Sequence, residues 1–447
     1  MDASTYCMDM MPPAPIRKSA RTAIRDAKGP DAKRPAWPKL YGTVPARKSI
    51  SHLFLSAGLM ALLLSPVADA GDSGHVRGEI EIAGNRFSVS HPPGYAVEPV
   101  NLELRRPRMM HFHGDELLVG SADDRIYRLF PPYDRAQTVA RLPLYPHSML
   151  VRGGEIIIAR THGVFRAPYS SDPNWRIDES HLKLLVPLQP SRSHSSRTIA
   201  LGPDGRLYVS IGMPGNCGDY YLDESYPEDL RRGGIFVIDE TSDPARLVPY
   251  VSGLRNPVGF DWHPKSDVLY ISNNGPDHLG YDQPKEYFAR GAERSFHGMP
   301  WYQYDGNRLF RDPCTEDFDP PRSVEDVSFP VAVFDARSAP LGMAFVTAPA
   351  RASEYHGDAI VALHGSWATS TGSHYGDAAT RRHPKLVRVD FDDARAGEVV
   401  DLLTGFQLED GERWARPAGV AIGGDGEIYF TSDDGYEGLY RLRKLDR

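Results

Sequence analysis

A short unit of polar turn and apolar strand recurs six times along the chain. Each copy begins in a turn rich in glycine and aspartate and continues into an apolar run typical of a β-strand. The copies occupy residues 113–119, 153–158, 202–209, 264–271, 356–361 and 423–430. A unit of this kind, stacked on itself at variable spacing, predicts the blades of a β-propeller. We therefore expect six blades around one central channel.

A second apolar strand with a basic or polar residue embedded in it follows most copies, at 125–129, 163–166, 234–238, 385–389 and 438–442. Alternating strands with little helical periodicity predict four-stranded antiparallel sheets. The predicted fold class is all-β, a six-bladed β-propeller over residues 71–447. An insertion around 273–355 is expected to form loops on one face, where sites are built. The outer strands of the fourth blade are the alternative for part of it.

The first 70 residues lack the repeated unit. A basic, proline-rich beginning is followed by Arg47 and Lys48, an apolar run at 53–64 and a small-residue site at 68–70. This order is typical of a secretory signal peptide, and the apolar run is too short to span a bilayer. A buried N-terminal helix is the alternative. We expect cleavage after Ala70, a periplasmic or secreted mature protein, and no membrane span in it.

The net charge restricts the kinds of molecule that the protein can bind, and the two cysteines indicate a disulfide. Residues 71–447 carry 41 Lys and Arg against 54 Asp and Glu, a net charge of −13. An acidic domain is a poor ligand for nucleic acid or anionic membranes, so small neutral substrates fit better. Cys217 and Cys314 are expected to form a disulfide in an oxidising compartment. Two thiols about 100 residues apart do not by their spacing indicate a metal site.

Polar residues precede the turn-and-strand unit in four blades, where the innermost strand should begin. They are His147, His194, Arg255, Asn256 and Arg416. Repeat symmetry predicts that they converge on one mouth of the channel, where stability alone would favour apolar side chains. For any one of these residues, the alternative is that its side chain only caps a loop. Two guanidiniums in a narrow channel would repel without a ligand, so their presence indicates a bound anion.

The residue types suggest separate roles at this mouth. His194 is the candidate general base, because imidazole titrates near neutrality and can remove a hydroxyl proton; a hydrogen-bonded loop histidine is the alternative. Arg255 and Asn256 suit the oxygens of an anionic organic cofactor, and Arg416 could hold a second carboxylate. Further along, residues 274–277 (Asn-Gly-Pro-Asp) and Asp282 offer the carbonyls and carboxylates that Ca²⁺ binds, although the same letters also describe an ordinary turn.

The chain resembles the soluble pyrroloquinoline-quinone (PQQ)-dependent aldose sugar dehydrogenases, and more closely their sorbosone-dehydrogenase-like branch. The resemblance covers most of residues 100–445 and rests on the segments 194–209, 254–260, 340–345, 362–367 and 414–420. Among these segments, Arg-Asn-Pro at 255–257 and His-Gly-Ser-Trp at 364–367, taken together, are specific to this family.

The resemblance implies PQQ over the channel and a calcium ion that polarises the quinone carbonyl. In that picture His194 takes the sugar hydroxyl proton during hydride transfer to PQQ, and Arg255 faces the quinone oxygens. The other residues implied to contact the cofactor are His147, Asn256 and Arg416. Gly275 and Pro276 are implied as carbonyl ligands of the calcium, with Asp282 as its carboxylate ligand.

Three departures from the family pattern matter. Ser193 stands where glucose-oxidising members place an aspartate before the catalytic histidine. His-Gly-Ser-Trp continues with Ala368-Thr369 in place of Asn-Arg, so we predict Lys385 as the remaining cationic contact to the cofactor. The predicted metal loop continues with Asp277-His278-Leu279-Gly280, a rewritten sequence.

The leading hypothesis is a quinoprotein that oxidises an aldose or sorbosone-like sugar and passes the electrons to an external acceptor. A calcium-dependent lactonase-type hydrolase is one alternative, and it would need a metal but no clamp for a quinone. A non-catalytic carbohydrate-binding propeller is the other. It predicts that binding survives removal of the charges at His194 and Arg255.

Overall fold

The computed structural model describes residues 74–189, 193–217, 232–347, 353–367, 376–393 and 395–445. The chain divides into two compact units, Met1–Ala68 and Asp69–Arg447, and every described residue belongs to the second. The predicted leader and signal peptide at 1–70 lie outside the described residues. Within the described ranges, no helix is both long enough and apolar enough to cross a membrane.

Three strands precede the first blade: β1 (Val76–Ile82), β2 (Asn85–His91) and β3 (Tyr95–Asn101). Blade 1 contains β4 (Pro107–His113), β5 (Glu116–Ser121), β6 (Arg125–Leu129) and β7 (Ala136–Arg141). Blade 2 contains β8 (Ser148–Arg152), β9 (Glu155–Arg160), β10 (Gly163–Pro168) and β11 (Lys183–Pro187). Blade 3 contains β12 (Ile199–Leu201), β13 (Leu207–Ile211), β14 (Gly234–Asp239) and β15 (Arg246–Ser252).

Blade 4 begins with β16 (Asn256–Trp262), β17 (Leu269–Asn274) and β18 (Glu286–Gly291). The short strands β19 (Ser295–Phe296), β20 (Tyr302–Tyr304) and β21 (Leu309–Arg311) follow, and β22 (Ala332–Phe334) completes the blade. Blade 5 contains β23 (Pro340–Phe345), β24 (Ala359–Leu363), β25 (Lys385–Asp392) and β26 (Arg395–Leu403). Blade 6 begins with β27 (Ala415–Ile422), β28 (Ile428–Gly435) and β29 (Gly438–Lys444). Short 3-10 helices lie at Glu179–His181, Pro313–Thr315, Val324–Asp326 and Ala378–Thr380.

The predicted six-bladed, all-β propeller is confirmed. Each turn-and-strand unit forms the turn after the first strand of a blade and then the second strand. Second strands such as β5, β13, β17 and β24 are buried along their whole length, because neighbouring blades cover both of their faces. A strand covered on both faces has a continuous apolar sequence, which is why these strands gave the clearest pattern.

The ring is closed by β3, the strand that precedes blade 1. It pairs antiparallel with β29 and supplies the fourth strand of blade 6. Glu98 on β3 accepts hydrogen bonds from Arg441 and Arg443 on β29, cross-strand pairs that support this register. Because the chain continues from β3 into blade 1, this pairing ties the last blade to the first and closes the ring.

The segment 273–355 divides among several parts of the fold. β18 and β22 complete blade 4 and β23 is the first strand of blade 5, so the additional structure lies between 292 and 331. Within it, β19 pairs parallel with β15 of blade 3. Cys314 in the same insertion is bonded to Cys217, which confirms the predicted disulfide.

The first strands of the blades approach one another backbone to backbone around the channel. A Cβ atom at Gly259 would lie 2.2 Å from the Leu341 carbonyl oxygen, and one at Gly419 would lie 2.2 Å from that of Arg108. Any larger residue would therefore push neighbouring blades apart. Beside these glycines, four apolar side chains from blades 1, 4, 5 and 6 pack together: Met109, Val258, Leu341 and Ala418.

Candidate active site at one mouth of the channel

Five of the predicted site residues lie where the first strands of four blades begin. His147 directly precedes β8, Asn256 begins β16 and Arg416 is the second residue of β27. His194 lies a few residues before β12. Gly212 lies between two of these side chains, because a Cβ there would be 2.3 Å from Asn256 Oδ1 and 2.8 Å from His194 Cβ. The fold thus brings His194 and Asn256 together.

The His194 imidazole is oriented by a backbone carbonyl. Its Nδ1 is hydrogen-bonded to the Met213 carbonyl oxygen, and the Met213 N–H donates in turn to the Arg255 carbonyl oxygen at 2.6 Å. A carbonyl can only accept, so Nδ1 carries the proton and Nε2 keeps its lone pair. The structure therefore replaces the aspartate missing at Ser193 with a main-chain acceptor.

His194 is neutral at ordinary pH. Burial, followed by the positive charge of Arg255, lowers the pKa of its imidazole to about 3. The residue also has a left-handed backbone conformation, with φ of 48°. A non-glycine residue is held there only by its surroundings, and such strain clusters at functional sites.

Arg255 is buried and held from two sides. Its Nη2 donates to Asn216 Oδ1 at 2.7 Å and to Asp277 Oδ2 at 3.2 Å. The backbone N–H groups of Arg255 and Asn256 both donate to Asn273 Oδ1, at 3.1 and 3.2 Å. Arg255 Nε is buried and has no hydrogen-bond partner among the described residues. One donor of this guanidinium is therefore left for a ligand.

His147 is fully buried beside blade 3. Its Nε2 lies 3.3 Å from Thr198 Oγ1, and its Nδ1 is buried without a hydrogen-bond partner in the described part of the chain. Burial, with the charges of Arg108 and Arg197, lowers the pKa of His147 well below its usual range. The imidazole is therefore a neutral polar group in the channel wall.

Arg416 belongs to a charged network centred on Asp433. Its Nε donates to the His364 carbonyl oxygen at 3.1 Å, and His364 Nε2 lies 2.7 Å from Asp433 Oδ1. Arg108 Nη1 donates to Asp433 Oδ2 at 2.5 Å. Burial alone would raise the pKa of Asp433, but Arg108 and His364 outweigh it and hold that pKa well below its usual range.

The guanidiniums at the mouth are thus balanced within the protein. Asp277 lies beside Arg255, and Asp433 and Asp434 lie beside Arg416. The expectation that these cations would repel one another without a ligand is wrong, because three carboxylates lie among them. A bound anion has to compete with these internal partners.

Sequence reasoning missed the basic residues of blades 1 and 5. Arg108 and Arg337 lie at the start of β4 and shortly before β23, so they share the position of Arg255 and Arg416. Extending the same comparison to all six blades would have found both. Arg337 also holds the predicted metal loop, since its Nη2 donates to the Asp277 carbonyl oxygen at 2.6 Å and its Nε to that of Gly280 at 2.8 Å.

The predicted calcium ligands fall in different environments. Gly275 and Pro276 are buried directly after β17, whereas the Asp282 side chain is exposed and lies 2.8 Å from Arg382 Nη2. The Glu286 carboxyl lies beside Gly275, since it accepts from the Ala339 and Gly275 backbone N–H groups. Burial raises the pKa of Glu286 to about 8.

Lys385 lies on β25, the third strand of blade 5, rather than on a first strand. Its Nζ is 2.6 Å from Asp401 Oδ1 on the neighbouring strand β26. With Arg382 and Asp335 it lines a separate cavity of about 360 Å³. No described contact joins Lys385 to the network around Asp433.

The fold and the channel mouth define the class of this protein as a six-bladed β-propeller with a polar site at one end of its channel. The family model described as "Glucose / Sorbosone dehydrogenase" matches residues 160–441, more than half of the chain. The chain belongs to the glucose/sorbosone dehydrogenase family, and the predicted family resemblance is confirmed.

Solved structures from fungi and bacteria share the fold. The calcium structure of a Trichoderma reesei carbohydrate-active enzyme of family AA12 has a TM-score of 0.64 at 18% identity, covering 79% of this chain and 96% of that one. The holo PQQ domain of Coprinopsis cinerea pyranose dehydrogenase has a TM-score of 0.63 at 19% identity, covering 80% and 98%. PQQ-bound aldose sugar dehydrogenase from Streptomyces coelicolor has a TM-score of 0.52 at 17% identity, covering 79% and 99%.

A curated relative, an uncharacterized protein of Borreliella burgdorferi, is 28% identical over 279 residues. The match covers 61% of this chain and 65% of that relative's length.

Stability is expected to fall as the pH is lowered from 7 towards 5. Burial lowers the pKa of four histidines to between about 3 and about 4: His111, His194, His297 and His364. These rings stay neutral in the folded protein but take up protons near pH 6.5 when it unfolds, so their contribution is lost on acidification. Burial raises the pKa of Glu286 to about 8 and of Asp261 to about 6, which opposes this effect.

For these six groups the difference near pH 5.5 is about two protons, which corresponds to roughly 2–3 kcal/mol per pH unit in the free energy of unfolding. His147, also kept neutral by burial, adds to the loss in the same direction. Urea unfolding at pH 7, 6, 5.5 and 5 measures it. His297→Asn should remove about one proton from this difference, which reduces the slope by about 1.4 kcal/mol per pH unit. A free energy of unfolding that stays constant or rises on acidification would contradict the assignment of neutral buried histidines.

Proposed function

We propose that the protein is a PQQ-dependent sugar dehydrogenase that oxidises a hydroxyl of an aldose or sorbosone-like sugar and passes the electrons to an external acceptor. The observation that carries the proposal is a neutral imidazole, His194, placed beside Asn256 and Arg255 at the mouth of the channel. Family membership supports the reaction class. The acidic net charge of the mature part favours a neutral substrate.

The donors at the mouth fit a flat quinone that carries several carboxylates. Arg255 Nε is a buried donor without a hydrogen-bond partner among the described residues. His147 Nδ1 is likewise buried and unpartnered there, but it is an acceptor, because the Thr198 hydroxyl donates to the Val258 carbonyl oxygen and accepts from His147 Nε2. A buried polar atom without a partner costs about 1–3 kcal/mol, which a ligand that bonds to it would recover. Arg416 adds a second guanidinium. When bound, the quinone would supply the carbonyl group that accepts hydride from the sugar carbon.

In this proposal His194 Nε2 accepts the proton of the sugar hydroxyl. The Met213 carbonyl keeps the proton of the ring on Nδ1, so Nε2 faces the reaction as a base. The low pKa of the ring weakens it as a base but keeps it unprotonated throughout the neutral range. Gly212 lets His194 and Asn256 lie in contact with the same short segment, which positions base and cofactor donors together.

We also propose a calcium ion held by the carbonyl oxygens of Gly275 and Pro276, with Asp282 as the predicted carboxylate ligand. The loop offers oxygen ligands of the kind that a hard cation binds, namely its main-chain carbonyls and the Asp277 carboxylate, which would have to exchange Arg255 for the ion. Bound there, calcium would act as a Lewis acid towards a carbonyl. Lys385, the predicted further contact to the cofactor, would first have to leave Asp401.

We propose a periplasmic or secreted location. The Cys217–Cys314 disulfide supports it, because such bonds persist in oxidising compartments. The apolar run at 53–64 after Arg47 and Lys48 supports export as well.

Reconstitution tests the proposed function. The purified protein with PQQ and Ca²⁺ should reduce an artificial dye when aldoses are added, and Arg255→Gln should raise the PQQ concentration for half-maximal activity. Loss of charge-assisted hydrogen bonds worth about 1.5–3 kcal/mol predicts an increase of roughly 10–150-fold. Arg246→Gln is the control, because Arg246 is exposed and pairs only at the surface with Asp239.

Two results would contradict the proposal. One is the absence of dye reduction across a broad panel of sugars. The other is lactone hydrolysis that needs calcium but not PQQ, which would favour the hydrolase alternative.

A further inference from the structure

The disulfide lies beside a histidine that the fold brings in from a third segment. Cys217 follows β13, Cys314 lies in a 3-10 helix of the insertion, and His278 belongs to the loop after β17. A ring nitrogen of His278 and the two sulfur atoms all lie within 4.8 Å of one another. All three residues are partly exposed.

The His278 ring is oriented by a buried carboxylate. Its Nε2 lies 2.9 Å from Oδ1 of Asp312, a residue with no exposed surface. Asp312 is fixed in turn by the Cys314 backbone N–H at 2.9 Å and by Gln303 Nε2 at 2.8 Å. In metal-binding histidines, the N–H of the ring nitrogen that does not bind the metal characteristically donates a hydrogen bond to a carboxylate in this way.

The other ring nitrogen of His278, Nδ1, makes no hydrogen bond to the described part of the chain. This nitrogen is also buried. Because Asp312 takes Nε2, Nδ1 is the nitrogen left to bind a ligand. Leaving a buried acceptor unpaired is costly, and a bond to a metal ion would satisfy it.

We propose that the reduced protein holds a zinc-type metal ion through the thiolates of Cys217 and Cys314 and through His278 Nδ1. The same two cysteines would then alternate between a disulfide and a metal site. Two sulfurs and one imidazole suit Zn²⁺, whereas calcium prefers oxygen, so the site is chemically distinct from the Gly275-Pro276 loop. One of the four positions of a tetrahedral ion is left for water or another ligand.

The conversion is a two-electron step. A dithiol reductant gives two electrons and two protons to the S–S bond, so two protein thiols form and the reductant becomes a disulfide. A divalent ion then displaces both thiol protons and forms two metal–sulfur bonds. Bond lengths of about 2.0–2.3 Å place tetrahedral ligand atoms roughly 3.5–3.8 Å apart, so only a small movement is needed.

Sequence spacing argued against a metal at these cysteines, and the fold changes that conclusion by adding His278. The site also reaches the channel mouth. Asn216, the neighbour of Cys217, accepts from Arg255 Nη2 and from the Asp277 backbone N–H, at 2.7 and 3.1 Å. The state of the cysteine pair can therefore influence how Arg255 is held.

Cobalt binding to the whole chain tests the proposal. The oxidised protein is reduced with a dithiol, freed of reductant without air, and titrated with Co²⁺ as a spectroscopic substitute for Zn²⁺. We expect one Co²⁺ per chain, a thiolate-to-cobalt charge-transfer band and tetrahedral d–d bands. Zn²⁺ should displace the cobalt and Ca²⁺ should not. The oxidised protein should give none of these bands.

Variants separate the built site from chance binding to thiols. His278→Gln, which can be purified with its disulfide intact and reduced afterwards, should weaken cobalt binding at least tenfold. Asp312→Asn should weaken it about 10–100-fold while keeping the charge-transfer band. His181→Gln, at an exposed histidine, is the control and should change nothing. Circular dichroism before titration verifies that each reduced variant is folded.

The proposal is overturned if the folded, reduced protein shows no charge-transfer band. It is equally overturned if His278→Gln binds cobalt as tightly as the unaltered protein, since that would leave two thiols acting without the histidine. Neither readout depends on PQQ or on sugar oxidation.

Discussion

Replacing His194 by alanine is expected to lower the rate of dye reduction by the PQQ- and calcium-loaded protein roughly 10²–10⁴-fold, the usual contribution of a positioned general base. The structure supports this size of effect because the His194 imidazole is neutral and its tautomer is set by the Met213 carbonyl. The loss should fall on kcat, since the proton transfer belongs to the reaction step. Steady-state kinetics over a range of sugar concentrations measures it.

Two comparisons sharpen this prediction. His181→Ala removes an exposed imidazole and should leave the kinetics unchanged. PQQ binding by the His194→Ala protein should also be close to normal, because Arg255 and His147 remain. A His194→Ala protein that keeps its full activity would remove this residue from the mechanism.

Replacing Asp433 by asparagine is expected to lower the free energy of unfolding by about 3–5 kcal/mol, the typical cost of breaking a buried ion pair from one side. Asp433 is the carboxylate between Arg108 and His364, with Arg416 nearby, and its side chain is only 9% exposed. Without its charge, the Arg108 guanidinium would stay buried without its carboxylate partner. Urea or thermal unfolding of the purified protein measures the effect.

The adjacent aspartate is a matched control. Asp434 also pairs with Arg416, at 3.4 Å, but its side chain is 62% exposed. Water screens such a pair, so Asp434→Asn should change stability by no more than about 1 kcal/mol. If the two substitutions lowered the free energy of unfolding equally, the burial of Asp433 would not be the cause of its effect, and the prediction would be wrong.

The fold could be predicted from the sequence because its repeated part is the part with the strongest local pattern. Second strands such as β5 and β24 are covered on both faces, and their apolar runs follow recognisable turns. β3 has no such pattern. It is an outer strand with a partly exposed face, and its partner β29 lies at the other end of the chain. Nothing local in residues 95–101 specifies that pairing.

The positions of some candidate site residues were predictable, because they recur at the same place in each blade. His147, His194, Arg255 and Arg416 occur at equivalent places before or at the start of first strands. The partners of these groups were not predictable. Asp277 follows Gly275-Pro276, which suggested a metal loop, yet its carboxylate pairs with Arg255. Asp282, which the family resemblance implied as the carboxylate ligand, has its side chain 83% exposed.

By itself, the sequence determined the number of blades and the register in which histidine and arginine side chains enter the channel. Both depend on short patterns repeated in each blade. The tertiary structure alone decided which charges neutralise one another and which atoms remain without partners. Arg108 and Asp433 are 325 positions apart and meet only because the ring closes between its first and last blades. An ion pair has no sequence period, so its partners become known only when the backbone brings them together.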